Sequence, residues 1–231
     1  SLAEIFGSAQ AAVPFTHQPR IAFQSGVIAG RHWTLLPSAA GVIDPLLSTG
    51  FPLTLLGVVR LARLLKSRWQ QSSFAQALED YGRLTALELN TTARLVGALY
   101  ATMDRFKLFK QLSLLYFAAA SYSETVRRLG RPMMADRFLL RGLPDFHESM
   151  RACCRLAARQ ATRERSRSAR EDLLATIRRC VEPVDLVGLN RPDRQHWYPV
   201  DLAELYKSSA KAGAPAEEIH EMLKRCGMSV K

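Results

Sequence analysis

Between Trp33 and Pro52 the chain reads Trp-Thr-Leu-Leu-Pro-Ser-Ala-Ala-Gly-Val-Ile-Asp-Pro-Leu-Leu-Ser-Thr-Gly-Phe-Pro. A short apolar strand signal runs into small residues at Ser38, Ala39, Ala40 and Gly41. An Asp44-Pro45 turn follows, then a helix start at Ser48, Thr49 and Gly50. Small side chains let a backbone approach a ligand closely. A helix start presents unpaired N–H groups and the positive end of the helix dipole, which suit a phosphate, another anion or an electron-rich ring edge. The same corner has a purely structural explanation, in which Ser48 or Thr49 caps the helix and Asp44 closes an Asx-turn.

This stretch resembles the second flavin-binding motif of FAD-dependent monooxygenases and, more closely, that of flavin-dependent halogenases. Ser38, Ala39, Ala40, Gly41, Asp44, Pro45, Ser48, Thr49 and Gly50 match it position by position. Leu114 to Glu124, Asn190-Arg191-Pro192 and His196 to Asp201 also look like the C-terminal part of this group. The resemblance implies FAD as cofactor, with Ser38 to Gly41 near its ribityl and pyrophosphate and Ser48-Thr49-Gly50 beside the isoalloxazine ring. It implies an oxidoreductase acting on an aromatic or other small organic substrate through a flavin peroxide, with a reduced-flavin or NAD(P)H donor and, in the halogenases, a halide. The chemistry of such enzymes belongs to the cofactor, and the protein supplies position and electrostatics.

Three departures refine that expectation. Pro37-Ser38 stands where many monooxygenases carry Gly-Asp for the ribityl hydroxyls. Leu47 stands where tryptophan halogenases carry a glutamate before the Ser-Thr, which favours a phenol- or pyrrole-type relative or a non-halogenating oxidase over an indole halogenase. The Gly-x-Gly-x-x-Gly dinucleotide signature does not occur in the chain. The expectation is therefore a fragment, the C-terminal portion of a larger enzyme with the Rossmann half missing and no activity by itself. The opening Ser1-Leu2-Ala3-Glu4-Ile5-Phe6, apolar and helix-like from the first residues, reads the same way.

Other chemistry-bearing residues are less organised. Arg151, Arg155, Arg159, Arg163 and Arg167 recur every fourth residue beside Arg165 and Arg170. On one helix they would form a spiralling cationic ridge, partly balanced by Glu164, Glu171 and Asp172. This ridge is the basis of a rival expectation, a non-catalytic helical module that grips nucleic acid or another anionic partner. No aromatic side chains interleave it for base stacking, so nucleic acid is not the favoured partner. Cys153, Cys154, Cys180 and Cys226 form no CxxC pair and read as reduced thiols, and with His147, His196 and His220 they match no common zinc spacing. Tyr116, Phe117 and Tyr122 read as core of an apolar helix, with a substrate-pocket lining as the second option.

The elements that position these residues follow from the pattern. The chain has 231 residues, 48% hydrophobic and 23% charged, with 32 Lys and Arg against 21 Asp and Glu for a net charge of +11. That is a globular composition, neither disordered nor disulfide-framed, and its basic balance raises anionic partners. Pro14 to Pro19 reads as a turn, and Ile21-Ala22-Phe23 and His32 to Leu36 as strands that stop at Pro37. From Pro52 the pattern is helical: Pro52 toward Arg68, Gln76 to Tyr100, Leu108 to Leu129, Phe146 to Cys180, and short pieces at Leu202 to Tyr206 and Glu217 to Arg225. Residues 182–199 read as a loop. The fold class expected is α/β, α+β as supplied, with a few N-terminal strands from a mixed sheet followed by a mostly helical C-terminal region. Residues 1–52 would end an FAD/substrate domain and 53–231 would form the helical cap. No apolar run reaches the ~20 residues of a bilayer span, so a cytoplasmic protein without a membrane partner is expected.

Overall fold

The architecture is mostly helical, 68%, with one small two-stranded antiparallel sheet. A computed structural model describes Glu4, residues 7–10 and 12–14, and then 21–162, 167–194 and 200–228. The expected turn at Pro14 to Pro19, Arg163 and Arg165, and His196 to Pro199 lie wholly or largely outside the described residues.

The sheet pairs β1 (Phe23–Gln24) with β2 (Gly41–Val42), Phe23 opposite Val42 and Gln24 opposite Gly41. The expectation that strand signals stop at Pro37 is corrected: Pro37–Ala40 forms a single helical turn, α1, and extended backbone resumes after it. The expected strand over His32 to Leu36 reduces to an isolated bridge between Ala29 and Thr34.

Three long helices follow, α2 (Gly50–Arg68), α3 (Phe74–Tyr100) and α4 (Phe106–Arg128). Helix α3 is the central one. Leu78, Tyr81, Thr85, Glu88-Leu89, Thr92, Leu95-Val96 and Leu99 line its buried side at helical spacing. Its buried hydroxyls bond back to carbonyls one turn earlier, Thr85 to Tyr81 at 2.9 Å and Thr92 to Glu88 at 2.8 Å, so they enter the core without loss of a hydrogen bond. Helix α4 ends at Gly130, whose φ of 76° permits the closing pair of Arg131 N–H to the Val126 carbonyl and Gly130 N–H to the Arg127 carbonyl.

The single helix expected from Phe146 to Cys180 is instead a packed pair, α5 (Pro144–Thr162) and α6 (Arg167–Val181). Helix α5 packs on α3, and α6 on α4. The Cys180 thiol of α6 donates to the Phe146 carbonyl of α5 at 3.7 Å, and all four cysteines are free. Burial is the main force that pushes the Cys154 thiol up to about 12. After α6, the buried Asp185 carboxylate gathers the N–H groups of Val187, Leu189 and Asn190. The short helices α7 (Leu202–Lys207), capped by Asp201, and α8 (Ala216–Arg225) close the chain.

One side of α2 is uncovered. Phe51, Leu55, Val58, Leu65 and the following Trp69 are exposed at spacings that keep them on one stripe. The helical span Leu46–Arg68, 23 residues, contains an 18-residue window of mean hydropathy 1.2, of which 17% is buried, and by length and composition alone it is sufficient to cross a membrane. No unbroken apolar run in it reaches that length, since Thr54, Gly57 and Arg60 interrupt the apolar residues without ending the helix.

Candidate functional site

The motif residues lie on three consecutive pieces of backbone mounted on α2 and α3. The first piece is α1. Its Pro37 sits against Gly57 of α2, where a Cβ would come within 2.5 Å of the proline Cδ, so only glycine lets the two segments approach this closely. Ser38 and Ala39 face outward, whereas Ala40 and Gly41 are buried. Ser25 N–H bonds the Ala40 carbonyl at 2.8 Å, and a Cβ on Gly41 would press on the Phe23 carbonyl and on Leu89 of α3. Gly50 and Gly57 are seven residues apart on α2, on one face and about 10 Å apart along the axis. The small-residue turn and the Ser-Thr-Gly end of the motif therefore bracket one length of helix.

The second piece is the Asp44 turn. Asp44 Oδ1 accepts the Leu46 N–H at 2.7 Å and the Tyr100 hydroxyl at 2.8 Å. The first bond is the local turn expected of Asp44. The second ties the motif to the end of α3 and, as the main cause, raises the Tyr100 pKa by holding its proton.

The third piece enters α2. Ser48 N–H bonds the Pro45 carbonyl at 2.9 Å, and Leu47 and Ser48 adopt φ of 63° and 50°. Two successive non-glycine residues in the left-handed region are costly and persist only where the surroundings impose them. Thr49 then occupies the cap position, yet its side chain makes no capping bond. Its hydroxyl is buried and finds no hydrogen-bond partner among the described residues. This departs from the ordinary capped corner that the sequence also allowed. Among the described residues a Cβ on Gly50 would meet nothing within 4 Å, so the helix start opens away from them.

The remaining candidates are scattered. Arg151, Arg155 and Arg159 are exposed along α5, but Arg167 lies on α6 and pairs with Glu171 at 3.0 Å. The ridge therefore does not continue along one helix. His147 is buried and its Nε2 meets Arg141 Nη1 at 2.9 Å, while His220 Nδ1 meets the Tyr206 hydroxyl at 3.0 Å. Among the described residues no group of three His, Cys, Asp or Glu converges as a metal site.

Local sequence reading missed two features here. One is the left-handed Leu47-Ser48 pair, since neither residue type signals positive φ. The other is the ion pair of Arg60 with Glu88, which has no signature short of the tertiary fold. No family model, curated protein or solved structure matches the chain.

Proposed function

We propose that this chain is the C-terminal portion of a cytoplasmic FAD-dependent oxidoreductase, of monooxygenase or halogenase-like type, acting on an aromatic or other small organic substrate. The observation that carries the reading is the corner at Leu47 to Gly50. A strained turn delivers an uncapped helix start, a buried Thr49 hydroxyl without a partner, and an open space above Gly50. An ordinary corner explains none of these together, and a flat, electron-rich ring edge laid against the helix start is accommodated by all of them.

The residues present fit such a group. Ser38 and Ala39 are exposed to its polar tail, while Ala40 and Gly41 hold that turn against β1 and α3; the exposed Ser48 and Gly50 and the positive end of the α2 dipole face its ring. Bound there, FAD would supply the oxygen-dependent oxidation, drawing electrons from NAD(P)H or reduced flavin. The chain's part is to hold the ring edge and to keep the corner rigid through Asp44 and Tyr100. The bare apolar stripe on α2 supports a second structural half lying over it, the dinucleotide-binding half in this reading. Leu47, apolar where indole halogenases carry a carboxylate, favours a substrate other than indole.

The test is the visible absorbance of the complete polypeptide purified with added FAD. Bound yellow flavin is expected, weakened at least tenfold in Gly50→Val with the melting temperature unchanged, because the added side chain meets only open space in the protein itself. A colourless protein indifferent to FAD overturns the reading and leaves the exposed arginines of α5 as the next surface to examine.

A further inference from the structure

Helices α3 and α5 run side by side in the same direction. Arg141, just ahead of α5, marks one end of their seam, its Nη1 3.4 Å from Thr91 Oγ1 of α3 and 2.9 Å from His147 Nε2 of α5. Arg105 marks the other end, donating to the carbonyls of Ala101 at 2.9 Å and Gln160 at 3.1 Å. Thr91 thus lies level with His147, and Ala101 with Gln160, along a seam about 15–20 Å long. Between the two ends stand Arg94, one turn beyond Thr91, and Arg151, one turn beyond His147. Arg155 and Arg159 follow on α5 at intervals of one turn, about 6 Å along the axis.

This seam is short of counter-charge. Arg94, Arg151 and Arg155 are exposed, and among the described residues none of them forms an ion pair. The charges of Arg141, Arg151 and Arg94 act together on His147 against Glu148 alone, and those of Arg94 and Arg155 act together on Cys154. Arg94 of α3 therefore faces the arginines of α5 across the seam. The cationic row is shared between two helices, and protein hydrogen bonds hold Arg141 and Arg105 at its ends.

The chemistry of the row selects its partner. Neither α3 nor α5 contains a lysine, so every cation along the seam is an arginine. A guanidinium presents a planar fork of donors that matches two phosphate oxygens at once. A repeat of one helical turn suits charges that recur along a polymer better than a single compact anion. Phe146 and His147, the rings of α5, are buried, so neither can stack on unpaired bases. Among the described residues α5 exposes no large apolar side chain to enter a lipid surface beside its cations. A duplex asks for neither, because its phosphates carry the attraction. We propose that the seam between α3 and α5 binds the phosphate backbone of duplex nucleic acid without reading its sequence. This inference goes beyond the flavin reading and does not rest on it, since no residue of the corner at Leu47 to Gly50 takes part.

The test is the fluorescence anisotropy of short labelled DNA duplexes of unrelated sequence, titrated with the complete polypeptide at several salt concentrations. The duplexes should bind alike, with a log–log salt slope of about −3, one phosphate for each of Arg94, Arg151 and Arg155. Arg94→Gln with Arg151→Gln should weaken binding at least tenfold and bring that slope to about −1. Arg170→Gln with Arg178→Gln removes the same charge from exposed positions on α6 and should leave affinity within about twofold of wild type. No binding of duplex overturns the proposal, as does a seam pair that binds no worse than the α6 pair, which would make net charge alone responsible. A single strand held at least tenfold more tightly than the duplex, or phosphatidylserine vesicles bound where the duplex is not, also overturns it. All four positions are exposed, and thermal melts show that the variants remain folded. A protein that takes FAD and ignores the duplex loses only this proposal, and one that binds the duplex and ignores FAD loses only the flavin reading.

Discussion

Arg60 and Glu88 form a two-pronged ion pair between α2 and α3, at 2.6 and 2.7 Å, with the Glu88 side chain 1% exposed. Removing one partner leaves the other charge in a poorly solvated place, which costs about 3–5 kcal/mol. Arg60→Leu is expected to destabilise by that amount in urea unfolding, and Arg60→Leu with Glu88→Leu by distinctly less. A single variant within about 1 kcal/mol of wild type would show that Glu88 needs no counter-charge.

Thr49→Val keeps the shape of the side chain and removes its unpartnered hydroxyl. A buried polar group without a bond costs about 1–3 kcal/mol, so the variant should be more stable than wild type when no ligand is present. A variant that melts lower than wild type would mean that the hydroxyl already has a partner.

His147 makes the fold sensitive to mild acid. A guanidinium only donates, so the 2.9 Å contact with Arg141 leaves Nε2 as acceptor and the ring neutral. Burial first, then Arg141, Arg151 and Arg94 against the smaller opposing effect of Glu148, hold its pKa below the ordinary 6.5. The folded state then binds fewer protons than the unfolded one, and stability falls as pH drops below about 6.5, until the folded pKa is reached. Melting temperatures should decline from about pH 7 to about pH 5 more steeply in wild type than in His147→Gln. Parallel profiles would remove His147 from this role.

Asp185 gathers three N–H groups at 3.3, 2.9 and 2.8 Å in a buried loop. Asp185→Ala strands them and should cost about 3 kcal/mol in urea unfolding, whereas Asp185→Asn, which keeps an acceptor, should cost less. Equal losses would indicate that the charge, not the acceptor geometry, holds the loop.

The helices were legible where a strong apolar period coincides with a stop signal. Gln76 to Tyr100 was placed within two residues, and Gly130 marks the end of α4 where positive φ is required. The pair α5 and α6 read as one helix because residues 161–170 continue the arginine pattern with neither glycine nor proline. Strand β2 was hidden because Gly41 and Val42 become extended only against Phe23 and Gln24, a pairing that local propensity does not encode. At the candidate site the residue types were readable, and Asp44 behaves as its turn chemistry predicts. The left-handed backbone at Leu47 and Ser48 was not readable, since the surrounding packing imposes it against the preference of both residues.

Pro37 seated on Gly57 has a mechanical consequence. Leu56 and Val59, either side of that glycine, line a cleft of 410 Å³ between α2 and α4, so the α1 turn and that wall share one stiff rod. A displacement of the turn bears directly on the helix that carries that wall, with no loop between them to absorb it.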